Sequence, residues 1–238
     1  MQETSGSLIL PAGKTHSMEL ANLTWKEAEE YLKKKQGVLL PVGSVEEHGY
    51  HLPLSTDVDI AEAVCRELSK RTGIMVAPPV WYGYSRSTRG YAGTVMAGKA
   101  ELREYLRSLL EGFAESGFRR VYIVSGHFSN DHLLAIESAA REAKDVEARL
   151  LDFSKIDFSD ILKSKPLHAC EAETSLMLFL HPEKVRMDLA RDEEIAYEGD
   201  MLRKTESGVF GKPSLATREK GRLLFERIVS EFEKIIKG

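Results

Sequence analysis

The stretch "PVGSVEEHGYHLPLSTDVDI", residues 41–60, packs acids and imidazoles into a few positions directly after the apolar run "GVLL". Glu46 and His48 are two residues apart, and Asp57 follows nine residues after His48. In extended chain, residues two apart project to the same side. Carboxylate and imidazole together suit Zn, Mn, Fe or Co rather than Ca or Mg. A second stretch, "SGHFSND", brings His127, and a third, "LHACEAETS", brings His168, Glu171 and Glu173. Three such segments, converging, would surround one or two divalent ions, and an aspartate shared between two ions is a common device of two-metal hydrolases. Taken singly, each residue has an ordinary structural role open to it: Glu46 and Glu47 as solvated loop acids, Asp57 as a helix N-cap, His127 as a turn residue. Their joint placement on one rim favours the chemistry. His51 reads as an orienting neighbour, and His132 and His181 read as structural. His16 lies in an uninformative N-terminal stretch. Nothing in the sequence stabilises a thiolate at Cys170.

The elements that must position these residues are legible in outline. Thr24 with Glu27 three residues later is a capping-box start for the helix "TWKEAEEYLKKK". "GVLLPVG", "GIMVAPPV", "RRVYIVSGH" and "VEARLLDF" read as strands. "DIAEAVCRELSKRT", "KAELREYLRSLLEGFAESG", "NDHLLAIESAAREAK" and the C-terminal "REKGRLLFERIVSEFEKIIK" read as helices, and "EAETSLMLFL" is compatible with one. Strands alternating with helices predict an α/β fold: a mostly parallel sheet covered on both faces, in one domain over residues 1–238, since no Gly/Ser/Pro linker divides the chain. Ligands in such folds bind beyond the carboxyl ends of the strands. Both the 46–57 stretch and "SGHFSND" follow such ends.

Composition narrows the function classes. The 238 residues are 42% hydrophobic and 29% charged with a formal net charge of −4, and no basic stripe points to nucleic acid. No run approaches a membrane span, no signal-peptide pattern opens the chain, and two cysteines make no disulfide framework. A cytoplasmic location is expected.

Four stretches, "LPVGSVEEHGYHLPLSTD" (40–57), "SGHFSN" (125–130), "HACEAETSLML" (168–178) and "ESGVFGKPSLATREKG" (206–221), resemble the creatininase (creatinine amidohydrolase) family, with "WYGYSRSTRGYAGTV" (81–95) as a weaker fifth. The resemblance implies a three-layer α/β/α domain, often a homo-hexamer, with two divalent ions per chain (Zn, Mn or Fe) and hydrolysis of small amides. Its known activities span creatinine ring opening, deformylation of a formamidopyrimidine, and cleavage of the mycofactocin precursor peptide. By matching position, Glu46 and His127 would hold one ion and His48 the other, Asp57 would bridge, and His168 would transfer protons. Glu173 would lie at the metals or beside them, as a ligand or as the acid holding His168.

The departures are specific. Creatininases carry Glu two residues after the histidine of "SGH", where this chain has Ser129; many members that do not act on creatinine also lack it. The family often has glycine at Cys170 and histidine near Thr88. The tryptophans that close over creatinine match roughly residues 145–175, where this chain has Phe153 and Phe158 and no tryptophan. The expectation is a metal-dependent hydrolase of a small-molecule amide, by metal-activated water. The alternatives are a peptidase maturing a small precursor peptide and a non-catalytic metal- or metabolite-binding member of the family.

Overall fold

The computed structural model describes residues 17–193 and 205–238; His16 lies outside them. Strand β1 (Gly37–Val42) is buried at all six positions, as the unbroken apolar run demands of a strand covered on both faces. It pairs in parallel with β2 (Met75–Val76) and with β3 (Arg120–Ser125), and β3 pairs in parallel with β4 (Glu147–Leu151), giving the order β2-β1-β3-β4. Alternate residues of the two central strands point to opposite layers. Leu39, Tyr122 and Val124 join a core with α2 (Thr56–Thr72), α5 (Glu171–Leu180) and α6 (Arg218–Lys237). Val38, Leu40, Val42, Val121 and Ile123 join a second core with α1 (Trp25–Leu32), α3 (Lys99–Glu115) and α4 (Asn130–Glu142). The result is the expected three-layer α/β/α arrangement. Among the described residues no helix is long and apolar enough to cross a membrane.

Local chemistry explains the boundaries. The Thr24–Glu27 capping box forms in both directions, with Thr24 N–H donating to Glu27 Oε2 at 2.8 Å. Strand β2 is far shorter than "GIMVAPPV" suggests, because Pro78 and Pro79 offer no N–H to the ladder; pairing resumes only at the Val42–Val80 bridge. Strand β4 stops at Leu151, where Asp152 turns the chain by accepting the Ser154 N–H at 2.9 Å. Helix α2 begins three residues before its expected start, at Thr56, whose hydroxyl donates to Pro53 O at 2.7 Å. Asp57 therefore sits inside the first turn rather than at the N-cap, which is Ser55.

Two features bring the loops together. The β1–β3 register runs from Gly37↔Arg120 to Val42↔Ser125, so both strands end level. Gly126 then packs against the start of α2 so closely that a Cβ there would lie 2.0 Å from Asp57 O. No larger residue fits between His127 and that helix.

Glu171 anchors the start of α5. It is fully buried and accepts from Ser164 N–H at 2.8 Å, Lys163 N–H at 2.9 Å and the Ser164 hydroxyl at 2.8 Å, and pairs with Lys220 of α6. Burial pushes its carboxyl up, but Lys220 and these donors outweigh burial and hold it below the ordinary value. A depressed folded pKa gives stability that is present above the unfolded value of about 4.3 and is lost as pH falls through the folded value. Glu171→Gln is expected to cost about 1–3 kcal/mol at pH 7 in denaturant melts, with the gap from wild type narrowing below about pH 4. A pH-independent gap would remove the ion pair from the account.

Candidate metal and catalytic site

The rim at the carboxyl ends of β1 and β3 collects the predicted residues. Glu46 and His48 lie on the segment after β1, tied down by Glu46 N–H to Leu54 O at 3.2 Å and by the Val45–Val95 bridge. His127 follows β3, held by Ser125, whose hydroxyl donates to His127 O at 2.7 Å. Asp57 enters from α2. His168 pairs through its backbone with Phe210 in both directions (3.1 and 2.9 Å), and buried Ala169 beside it is in the left-handed region (φ 48°). Such a conformation in a non-glycine residue costs energy and is held by its surroundings; here it turns the chain from His168 into α5, which carries Glu173.

Donor atoms fall into three overlapping groups, the atoms of each lying within 4.8 Å of one another: Glu46, Asp57 and His127; His48, Asp57 and Glu173; and Glu46, His48 and His168. Asp57 belongs to the first two, one carboxylate oxygen toward each histidine. Its Oδ1 lies 3.0 Å from His48 Nε2 and its Oδ2 3.2 Å from His127 Nδ1, while Glu46 Oε1 lies 2.9 Å from His127 Nδ1. All are buried. Glu46 and Glu47 are therefore not solvated loop acids.

The imidazole orientations follow from their outer partners. His48 Nδ1 is 3.2 Å from Glu46 O, His127 Nε2 is 3.1 Å from Tyr84 O, and His168 Nε2 is 2.8 Å from Glu47 O. A carbonyl oxygen only accepts, so each of these nitrogens carries a proton. The opposite nitrogens, His48 Nε2, His127 Nδ1 and His168 Nδ1, face the carboxylates. This is the arrangement of metal-ligating histidines, whose second nitrogen donates to a carbonyl or carboxylate.

Whether the residues fit a divalent cation is answered by their own polar atoms. Glu46 Oε1, His48 Nε2 and both oxygens of Asp57 are buried and make no hydrogen bond of proper geometry with one another or with anything else. Buried polar atoms are ordinarily satisfied. Four unsatisfied atoms pointing at a common space, of imidazole and carboxylate type, fit a Zn-, Mn- or Fe-class ion.

The electrostatics agree. Burial opposes the charge on His48, but the Asp57 carboxylate overrides it and raises the imidazole to about 10. Burial likewise opposes charge on His127, yet Glu46 and Asp57 carry it well above the ordinary value. Burial pushes Asp57 up, and His48 and His127 outweigh it to hold the carboxyl well below its usual range. Glu173 is raised, chiefly by burial. Burial, then His48 and His168, lower His51 to about 4, so His51 is neutral; its Nε2 meets the Thr174 hydroxyl at 2.9 Å. Burial and then Glu173 push the Cys170 thiol up to about 12, away from the thiolate form.

The residues around the donor groups take the following places. Ser129 is the N-cap of α4, accepting from His132 N–H and donating to Tyr84 O, both at 3.4 Å. His132 is structural in its Nδ1, which accepts Tyr84 N–H at 3.2 Å, yet its ring also packs edge-on against His127 with centroids 4.8 Å apart. His181 is removed from this group and meets Glu183. The acid at His168 is Glu47, with Oε1 3.1 Å from Nε2, rather than Glu173, whose Oε2 accepts Cys170 N–H at 3.4 Å. Thr88 was visible only as a departure from the family pattern. It is buried, donates to Glu46 Oε2 at 2.7 Å, and receives the Ser85 hydroxyl at 2.6 Å. No signal within its own stretch marks that role, because its partner lies far back in the sequence.

A family model described as Creatininase, creatinine amidohydrolase, matches residues 21–236. The chain belongs to the creatininase family. The creatinine amidohydrolase of Pseudomonas putida is 30% identical over 242 residues, covering 88% of this chain and 92% of its own. The mycofactocin precursor peptide peptidase of Mycolicibacterium smegmatis is 34% identical over 212 residues, covering 81% of each. A solved creatininase variant of Zn–Zn type superposes with a TM-score of 0.81 at 29% identity, covering 93% of this chain and 97% of its own. The family is one of hydrolases acting on C–N bonds, and this creatininase-family chain carries grouped, buried donors of the type that hold such ions.

Asp57→Ala removes the carboxylate common to two donor groups, so bound metal is expected to be lost after reconstitution with Zn²⁺, measured by elemental mass spectrometry. A full metal complement in that variant would overturn the shared-ligand geometry. Thr88→Val frees Glu46 Oε2 and is expected to weaken metal affinity about 10- to 100-fold in competition titrations with a chromogenic chelator, the usual effect of removing an outer hydrogen bond.

Proposed function

We propose that this protein is a metal-dependent amidohydrolase that cleaves a C–N amide bond of a small molecule with metal-activated water. The observation that carries the reading is the set of buried, hydrogen-bond-free donor atoms of Glu46, His48 and Asp57 converging on one space beside His168. Glu46, Asp57 and His127 would hold one divalent ion, and His48, Asp57 and Glu173 a second. Such ions lower the pKa of a bound water toward neutrality and polarise a carbonyl oxygen.

The chain's own residues supply the rest. His168 presents Nδ1 to the same space, 3.9 Å from Glu46 Oε1. An amide nitrogen leaves only when protonated, so one group must take a proton from the attacking water and deliver it to nitrogen; Nδ1 would make both transfers. Burial and the neighbouring His48 oppose a proton on His168, but Glu47 and Glu46 outweigh them and raise its affinity for one. Glu173, raised by burial, completes the carboxylate set that Ser129 leaves short.

The residues that match the creatinine-closing tryptophans bear on the substrate class. Phe153 is buried in the core beneath α6, packing on Phe232 at 5.2 Å, and Phe158 is only partly buried against the same core. Neither takes the place of a tryptophan lid, so an amide other than creatinine is favoured. A second reading, trimming of a short peptide, is supported by the 34% identity to the peptidase of M. smegmatis. Exposed Trp81 and Tyr82 support the homo-oligomer that the resemblance implies. Turnover of a panel holding creatinine, N-formyl amides, lactams and short peptides, with Zn²⁺ or Mn²⁺, separates these readings; no turnover of any member by metal-loaded protein would sink both.

His168→Ala is expected to leave metal content intact and lower kcat about 10²- to 10⁴-fold on the best panel substrate. Loss of metal in step with activity would make His168 a ligand instead.

A further inference from the structure

Glu47 stands next to the ligand-type residues yet belongs to none of the donor groups. Its exposure is only 7%, low for a loop carboxylate, and every polar group it has is committed. Its N–H donates to the Thr94 hydroxyl at 3.0 Å, its Oε2 accepts Gly49 N–H at 2.9 Å, and its carbonyl and Oε1 both meet His168 Nε2, at 2.8 and 3.1 Å. Segment 205–211 presses on it from above. Gly208 has φ 83°, and a Cβ there would lie 1.9 Å from Glu47 Oε2 and 2.5 Å from its Cδ. Glycine thus meets two demands, the left-handed backbone and the room for the carboxylate. The same segment pairs with His168 through Phe210. Glu47 and His168 are therefore clamped between the 46–48 loop and segment 205–211.

We propose that Glu47 is a positioning residue for the reaction: its carboxylate, seated by Gly49 N–H and by the space Gly208 leaves, fixes the His168 ring with Nε2–H outward and Nδ1 toward the reacting amide, and stabilises the imidazolium formed when Nδ1 takes the water proton. The logic is that of any carboxylate–imidazole pair, in which the acid orients the ring and balances its transient charge without itself gaining the proton. The inference rests on the reading of His168 as proton carrier. Glu47 itself supplies none of the grouped donor atoms, and its contact with His168 is at Nε2, the nitrogen turned away from them.

The test uses Glu47→Gln and Gly208→Ala in the full-length, metal-loaded protein. Glu47→Gln keeps the shape and removes the charge. Its kcat on the best panel amide is expected to fall about 10- to 100-fold, with KM and metal content unchanged, and Glu47→Asp is expected to recover part of the loss. In the metal-free protein, the proton on His168 Nε2 should resonate upfield in Glu47→Gln relative to wild type, a readout independent of turnover. Gly208→Ala, which displaces the same carboxylate, should lower kcat comparably. Combined with Glu47→Gln it should add little, because both changes act through one contact. Wild-type kcat in Glu47→Gln, loss of metal in that variant, an unmoved imidazole proton, or additive losses in the double variant would each overturn the proposal. If Glu47→Gln is fully active while His168→Ala is not, only the role of Glu47 fails; if His168→Ala is active, the proton-carrier reading itself fails.

Discussion

The structure depends on one constraint: acids and imidazoles must be buried together with their lone pairs facing inward. Each imidazole spends its outer N–H on a backbone carbonyl, from Glu46, Tyr84 or Glu47, so each inner nitrogen is left toward Glu46 and Asp57. Without cations, protons must balance the carboxylates, and His48 raised to about 10 expresses that demand. Divalent cations and protons therefore compete for the same lone pairs, and cation uptake releases protons and strengthens as pH rises. A cluster of this kind is costly to bury and is not explained by stability alone.

The fold meets the constraint with few moving parts. Level ends of β1 and β3 set Glu46 and His127 side by side. The close approach of Gly126 to Asp57 O brings the first turn of α2 against them. The Glu171–Lys220 pair fixes the start of α5, and with it the turn from His168 to Glu173. The layers that carry these contacts are ordinary alternating cores, so the site's precision comes from loop anchoring rather than from the cores.

The sequence reveals the parts of this arrangement that are locally dense and hides those made across distance. Glu46, His48 and Asp57 stand out because three ligand-type residues share a short loop after an apolar run, and strand–helix alternation places His127 on the same rim. The α/β/α layering is legible because the apolar periods of 2 and 3.6 alternate along the chain. Strand β2 misleads because apolarity outlasts the N–H donors at Pro78 and Pro79. Glu47 is hidden for a different reason. Its partner His168 lies 121 positions away, and Thr88 lies 42 positions from Glu46; neither residue type announces such a contact. Gly208 looks like any turn glycine until its approach to Glu47 is known.

Ser129, where the resemblance implies a glutamate, bears on how the charge requirement of the site is met. The hydroxyl of Ser129 is engaged at the N-terminus of α4 and with Tyr84 O. A glutamate there would have to give up that cap to reach the rim. Glu173 is already buried, already grouped with His48 and Asp57, and held by one oxygen to Cys170 N–H. Burial leaves it with raised proton affinity, which His48 and His168 offset only in part. A carboxyl in that state gains from an approaching cation more than one already paired. A buried carboxyl of raised proton affinity beside His48 and Asp57 is therefore the physical ground for proposing Glu173 as a ligand on the His48 side of the site.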